Sequence, residues 1–462
     1  VLNFVKVWII LPSVLNYFNQ FKSKWEDVKM ASWLERYFKV REAGSDVRTE
    51  ILAGITTFMT MAYIIFVNPS IMEKAGMPFG AVMTATCVAS AFATLLMAFL
   101  ANYPIALSVG MGLNAFFAFG VVLGMGISWQ TALAAIFTEG VIFILLTLTR
   151  IREGVVNAIP TSLKIGISTG IGLFITFIGL QSAGIIVNND AVLVGMGNLK
   201  SSTSLLAILG FFIMVILEAR RVRGAILWGI LIITAISIPL GVTAMPKGLI
   251  SMPPSLAPIF AQLDFSSFMN PNFWIVVFTF FFVDFFDTVG TLVGVTNRAG
   301  MLDSEGKLPR AKEALLADAI GTSAGAILGT STVTSYVESA SGVEQGGRTG
   351  LTALTTAVLF LLALFFSPLV AVVPACATAP ALVMVGIFMT MSLKQFDFAE
   401  WTDLVPACIA IFTMPFSYSI AAGIEFGVIS FVIIKYMTGK KHQVSPMMIF
   451  LFVVFLLKEI FF

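Results

Sequence analysis

The chain has 462 residues, 58% of them hydrophobic and only 11% charged, with a mean hydropathy of +0.97. Soluble domains carry about 25% charged residues, so a water-facing globular surface is excluded, and a net charge of +2 gives nucleic acid no electrostatic footing. Apolar runs of roughly 17–25 residues, the length that crosses a hydrocarbon core, recur from Ile51 onward, and the chain reads as an all-α polytopic membrane protein.

In chain order, residues 1–29 come first. Their "VWIILPSVL" is too short to span and lacks a small-residue cleavage site, so Met30 is expected to be the natural start. Loop charge sets the orientation. Basic residues gather at Arg150/Arg152/Lys164, Arg220/Arg221/Arg223, Arg298/Lys307/Arg310/Lys312 and Lys435/Lys440/Lys441, while the alternate loops hold Lys74, Lys200 and Lys247. With a cytoplasmic N-terminus, that alternation fits about fourteen spans from Ile51 to Met437. A last apolar run, Met447 to Phe462, either spans or lies along the surface.

The two halves echo each other. "AFATLLMAFLANYPIALSVG" (Ala91 to Gly110) matches "AIGTSAGAILGTSTVTSYVE" (Ala319 to Glu338) at a constant offset of 228, through Ala91, Thr94, Ala98 and Leu100 against Ala319, Thr322, Ala326 and Leu328. Each helix then runs into a break. In the first, Ile105 to Val109 read as extended, and Gly110, Gly112 and Asn114 open a half-helix through Phe116 and Phe117. In the second, Thr330, Thr332, Thr334 and Tyr336 alternate with Ser331, Val333, Ser335 and Val337, a β period of two. Glu338 and the small Ser339, Ala340, Ser341 and Gly342 then begin a half-helix. Irregular backbone at membrane depth survives only against protein or a wet cavity. Paired interruptions in two halves point to a transporter's binding site.

The stretch "FFFVDFFDTVGT" (Phe280 to Thr291) places Asp284, Asp287, Thr288 and Thr291 at i, i+3, i+4 and i+7, read here as one helix face. A lone carboxylate at the bilayer centre costs at least ~2.5–3.5 kcal/mol, so this face must meet protein or cavity. Asp284 and Glu338 are the leading functional candidates, followed by Asn114 and Asp287. Asp318 and Glu139 read as ties between helices, and Phe116 and Phe117 as packing that can also present a stacking face. Cys87, Cys376 and Cys408 read as buried free thiols without metal spacing. The single histidine, His442, lies in a basic loop. No nucleophile–base pair, metal cluster or cofactor motif is visible, so an enzyme is not expected.

Four stretches carry a resemblance. "LERYFKVREAGSDVRTEILAGITTFMTMAYIIFVNP", "GMGLNAFFAF", "DFFDTVGTLVGV" and "GTSTVTSYVESASGVEQGGRTGLTAL" resemble the AzgA-like purine permeases of the nucleobase–ascorbate transporter superfamily, from Met30 to the C-terminus. The resemblance implies about fourteen segments in two inverted repeats of seven, segments three and ten each a strand plus half-helix. A core domain holding substrate would move against a gate domain in an elevator-like manner. The corresponding boundaries are a cytoplasmic segment 1–48, core 49–148, gate 149–243, core 273–366, gate 367–437 and a tail 438–462.

The resemblance further implies proton-coupled import of hypoxanthine, guanine and adenine across the plasma membrane. By matching motifs, Gly112 and Asn114 take the places of the family's essential glycine and asparagine. Asp284 takes that of its essential carboxylate, Asp287 that of the recognition aspartate, and Glu338 that of the binding glutamate. The chemistry agrees. An ionised carboxylate accepts two ring N–H donors of an oxopurine, while Asn114 and the N–H groups of Ser339 and Ala340 are expected to meet its acceptors. With no histidine available, Asp284 and Glu338 are the candidate proton carriers. An anion transporter of similar two-domain architecture is the alternative, disfavoured by carboxylates at the site. Whether the chain forms a homodimer is left open.

Overall fold

The computed structural model describes residues 29–148, 160–246, 248–301 and 308–461. Residues 1–28 and the loop cations Arg150, Arg152, Lys247 and Lys307, with the expectations placed on them, lie outside that set.

A short α1 (Lys29–Tyr37) precedes a first span broken into α2 (Val47–Met61) and α3 (Ile64–Lys74). Asp46 caps α2 through its side chain, accepting from the amides of Arg48 and Thr49, which satisfies donors that a helix start leaves free. There follow α4 (Phe79–Leu96), β1 (Leu107–Val109), the half-helix α5 (Met111–Ala115, continued by a π-helical stretch Phe116–Gly124) and α6 (Trp129–Leu148). Next come α7 (Thr161–Ser182), a hairpin of β2 (Ile186–Asn189) and β3 (Leu193–Met196), α8 (Ser202–Ala219) and α9 (Ala225–Ser237). The second half repeats the pattern with α10 (Pro271–Arg298), α11 (Ala311–Leu328), β4 (Val333–Ser335), the half-helix α12 (Ser339–Glu344), α13 (Gly350–Ala363) and α14 (Ser367–Val370). It closes with α15 (Ala375–Thr390), α16 (Trp401–Ser417), α17 (Ile420–Met437) and α18 (Pro446–Phe461). Among the described residues, 9 helices are long and apolar enough to cross a membrane, with shorter apolar helices beside them.

Packing sorts these helices into two groups. α2 and α4 pack on α13, α6 on α10 and α11, and α12 on α2; separately, α7 packs on α15 and α16, α8 on α15, and α16 on α17. Without a hydrophobic drive between helices in lipid, close approach depends on small residues. A methyl at Gly386 would stand 2.0 Å from Thr176 Oγ1, and one at Gly172 2.7 Å from the Gly386 carbonyl. That mutual fit lets α7 and α15 touch along their backbones.

The two halves of the chain meet at the breaks, inside the first helix group. β1 and β4 pair antiparallel, Leu107 opposite Ser335 and Val109 opposite Val333. Because the strands are antiparallel, the half-helices leave the crossing in opposite directions. The repeat is visible in its anchors: Thr94 Oγ1 donates to the Leu107 carbonyl at 3.0 Å, and its counterpart Thr322 donates to the Val333 carbonyl at 2.8 Å. Met111 and Ser339, the first residues of the half-helices, also stand 228 apart. The hairpin β2–β3 is an addition that the hydropathy pattern did not foreshadow. The last apolar run is a helix, α18, packed on α17, with the Phe455 ring 5.8 Å from that of Phe278 on α10.

Candidate functional site

The crossing is held by its own hydrogen bonds. Gly110 N–H donates to the Thr332 carbonyl and Tyr336 N–H to the Ala106 carbonyl, both at 3.0 Å. The Tyr336 hydroxyl donates to the Val109 carbonyl, and Ala106 N–H to Ser339 Oγ. The amides of Ser339 and Ala340 are not free as expected. They donate to the carbonyls of Tyr336 and Val337 at 3.1 and 3.0 Å, because the chain enters α12 through a tight turn that consumes the first amides.

Glu338 sits at that turn, half-buried. Its Oε1 accepts from the Tyr63 hydroxyl at 2.6 Å. Tyr63 is buried and lies in the break between α2 and α3, so the regular bonding of the first span is interrupted where it reaches the second half's glutamate. Thr60 adds a bond to Ser341 Oγ at 2.9 Å. Sequence reasoning missed Tyr63: a tyrosine in an apolar run carries no signal of its own.

Asp287, on α10, is exposed while protein surrounds it closely enough for Glu338 to act on its charge. A side chain with both properties lies in a cleft. Gly290 and Gly294 continue the same stripe one and two turns on, and a methyl on either would meet nothing within 4 Å. Val337 is 56% exposed beside Glu338. A carboxylate facing lipid is expensive, so this open stripe is read as a cleft with Asp287 and Glu338 at its wall.

Asp284 does not share it. The expectation that Asp284 and Asp287 lie on one face fails: Asp284, Thr288 and Thr291 turn inward and are buried, while Asp287 turns out. Asp284 is 0% exposed and meets Glu139 of α6 and Asp318 of α11. Asp284 therefore does not reach the open stripe that Asp287 lines. Asn114 is also fully buried, its amide donating to Asn68 Oδ1 at 3.1 Å while its own oxygen has no donor. Asn68 in turn donates to Thr86 and Thr330 at 2.8 and 3.0 Å, tying four core segments together behind the half-helices. Gly112 is where α7 presses on α5, since a methyl there would stand 2.6 Å from Ile171 Cγ2. Phe116 and Phe117 are buried, Phe116 edge-on to Phe280 at 4.9 Å, and offer no face to the cleft. A separate hollow of about 290 Å³, lined by Ser162, Phe396, Asp403 and Gln443 among others, lies in the second helix group, away from these carboxylates.

Two helix groups with crossed half-helices between the two halves define the two-domain fold of a membrane transporter. The fold is similar to the transmembrane domain of a cyanobacterium bicarbonate transporter, BicA, with TM-score 0.62 at 15% identity, covering 81% of this chain and 97% of that one. The profile of a permease family matches residues 48–426. The guanine/hypoxanthine permease PbuG of Bacillus subtilis is 48% identical, over 93% of this chain and 100% of its own length. The adenine permease AdeP of Escherichia coli is 47% identical, over 93% and 96%. The chain belongs to this permease family, in the AzgA-like branch that its motifs resemble.

Proposed function

We propose that the protein imports purine nucleobases, hypoxanthine, guanine and adenine, across the plasma membrane by proton symport. The observation that carries this reading is the pair Asp287 and Glu338 on one open cleft, beside half-helices whose relatives are named for purines. Glu338 spends one oxygen on Tyr63 and keeps the other for a ring N–H; Asp287 takes a second donor. Gly112 and Asn114 shape and brace the half-helix behind the purine, and Ser339 and Ala340 fix the turn that aims Glu338. Asp284 and Glu338 carry the coupled proton. An anion would be repelled by the two carboxylates, although anion transporters share the fold.

The stripe Asp287–Gly290–Gly294 leads toward Arg298, the end that loop charge places in the cytoplasm with the N-terminus. The cleft is then the inward-open state of an elevator cycle. Uptake of labelled hypoxanthine, challenged with guanine, adenine, xanthine and uracil, tests the substrate class; competition by uracil alone would overturn it. Glu338→Gln and Asp287→Asn each unmake a bond to a charged group, roughly 1.5–3 kcal/mol, so affinity should fall at least ~10-fold. Uptake should rise as external pH falls and collapse with a protonophore. Uptake that requires sodium and ignores pH contradicts the coupling.

A further inference from the structure

The cleft accounts for Asp287 and Glu338 but leaves three buried carboxyls unexplained. Glu139, Asp284 and Asp318 are each 0% exposed and come from α6, α10 and α11. Both oxygens of Glu139, both of Asp284 and Oδ2 of Asp318 lack a hydrogen-bond donor, yet the Glu139 and Asp284 carboxyls face each other directly. Gly140 permits this approach: a methyl there would stand 2.4 Å from Ser323 Oγ and 2.9 Å from its amide, so α6 lies against α11.

The groups facing Asp284 are all acidic or neutral. Glu139 comes from α6, Asp318 from α11 and Asp287 from its own helix. Tyr336 and Glu338, from the turn after β4, face Asp287 instead, and the half-helix α5 with its continuation contributes no titratable side chain. Among the described residues no basic group pairs with any of the three. Nor are they spaced to hold one metal ion together. Three negative charges in a dry site without a counter-charge are not sustainable, and two facing acceptors bond only if one carries a proton.

We propose that Glu139, Asp284 and Asp318 form a proton-binding site inside the core, separate from the purine cleft, that holds two protons and one negative charge. The charge rests on Asp318, whose Oδ1 accepts from the Thr288 and Ser335 hydroxyls at 3.0 and 3.2 Å. The protons sit on Glu139 and Asp284, one of them between the facing carboxyls. Thr288 also bonds Thr334 of β4 at 2.7 Å, so the occupancy of the site is felt by the strand that leads to Glu338. This deepens the symport reading: it gives Asp284, one of the two proposed proton carriers, the partners that hold its proton apart from substrate.

Infrared difference spectra of the purified full chain in lipid, at neutral pH in sodium-free buffer, read protonated carboxyls directly. The expected result is a carboxylic-acid C=O band that shrinks in Glu139→Gln and in Asp284→Asn and is unchanged by added sodium. No such band in the native chain, a band that neither substitution alters, or its removal by sodium each overturns the site. Asp318→Asn, which leaves the two protonated groups in place, should keep the band but shift it. Transport separates this inference from the one it rests on. In Glu139→Gln, nucleobase exchange should keep its KM while net uptake loses its response to a pH gradient at least ~10-fold; a full response retained overturns the site. Net uptake that ignores pH in the native chain, with the infrared band present, would refute proton symport and leave the buried proton site standing.

Discussion

Replacing Tyr63 by Phe removes one hydroxyl from the cleft wall and nothing else. Glu338 then loses the donor that holds Oε1 at 2.6 Å, so its carboxylate is free to rotate. A hydrogen bond to a charged group contributes roughly 1.5–3 kcal/mol, and part of it returns as water enters the cleft. The expected outcome is a several-fold rise in KM for hypoxanthine with kcat little changed; an unchanged KM would show that Tyr63 only packs. Glu338 was legible in the sequence because a β period gave way to small residues just where it stands. The division between Asp284 and Asp287 was not. At 3.6 residues per turn, positions three apart differ by about 60° around the axis, and spacing alone cannot say where the boundary between cleft and core falls. Glu139 and Asp318 were read as helix ties because a sequence shows polar residues but not which of them lack donors.

At the scale of elements, two glycines make opposite predictions. A methyl at Gly342 would stand 2.1 Å from Thr57 Oγ1 and 2.7 Å from the Ala53 carbonyl, and a backbone carbonyl cannot step aside. Gly342→Ala should therefore push α12 off α2, lowering the thermal midpoint and abolishing uptake. Gly290 has open space, so Gly290→Ala should fold at least as well, by up to about 1 kcal/mol from helix propensity. It should still weaken purine uptake, since it narrows the cleft beside Asp287; unaffected transport would mean substrate does not pass that stripe. A further element-level test lies at the start of α16, where Glu400 accepts from Lys440 at 2.6 Å and caps Thr402. The Lys440 bond, with help from Thr402, holds the Glu400 carboxyl down at about 2. A lowered folded value means this stabilisation is complete above about 4.5 and is lost as pH falls toward about 2. The thermal midpoints of the native chain and Glu400→Gln should thus differ at neutral pH and converge on acidification. Helices were readable from hydropathy and the two breaks from their polar, small-residue composition. The β2–β3 hairpin was not, because its four-residue strands, "IVNN" and "LVGM", are too short to show a regular alternation.

For the whole molecule, the question is whether one helix group moves against the other. Contacts between them run through Gly112 against Ile171, the Phe119 ring 6.0 Å from that of Tyr418, α3 on α15, and α9 on α2, where a methyl at Gly224 would stand 2.7 Å from the Met59 carbonyl. Within the second group, a methyl at Gly166 would meet Ala407 at 2.9 Å along backbones that have no room to slide. Contacts between two such helix groups would have to change in a rocking or sliding cycle around a fixed site. Cysteines replacing Phe119 and Tyr418, joined by a short thiol-specific linker in a background lacking the three native cysteines, should arrest net uptake, and a reducible linker should restore it on reduction. The same linker between cysteines at Gly166 and Ala407 joins two helices that move together, so provided that pair folds, uptake should persist. Full uptake with the Phe119–Tyr418 pair quantitatively joined would mean that the contact between segment three and the second group does not change during transport, and an elevator movement of the core would be excluded.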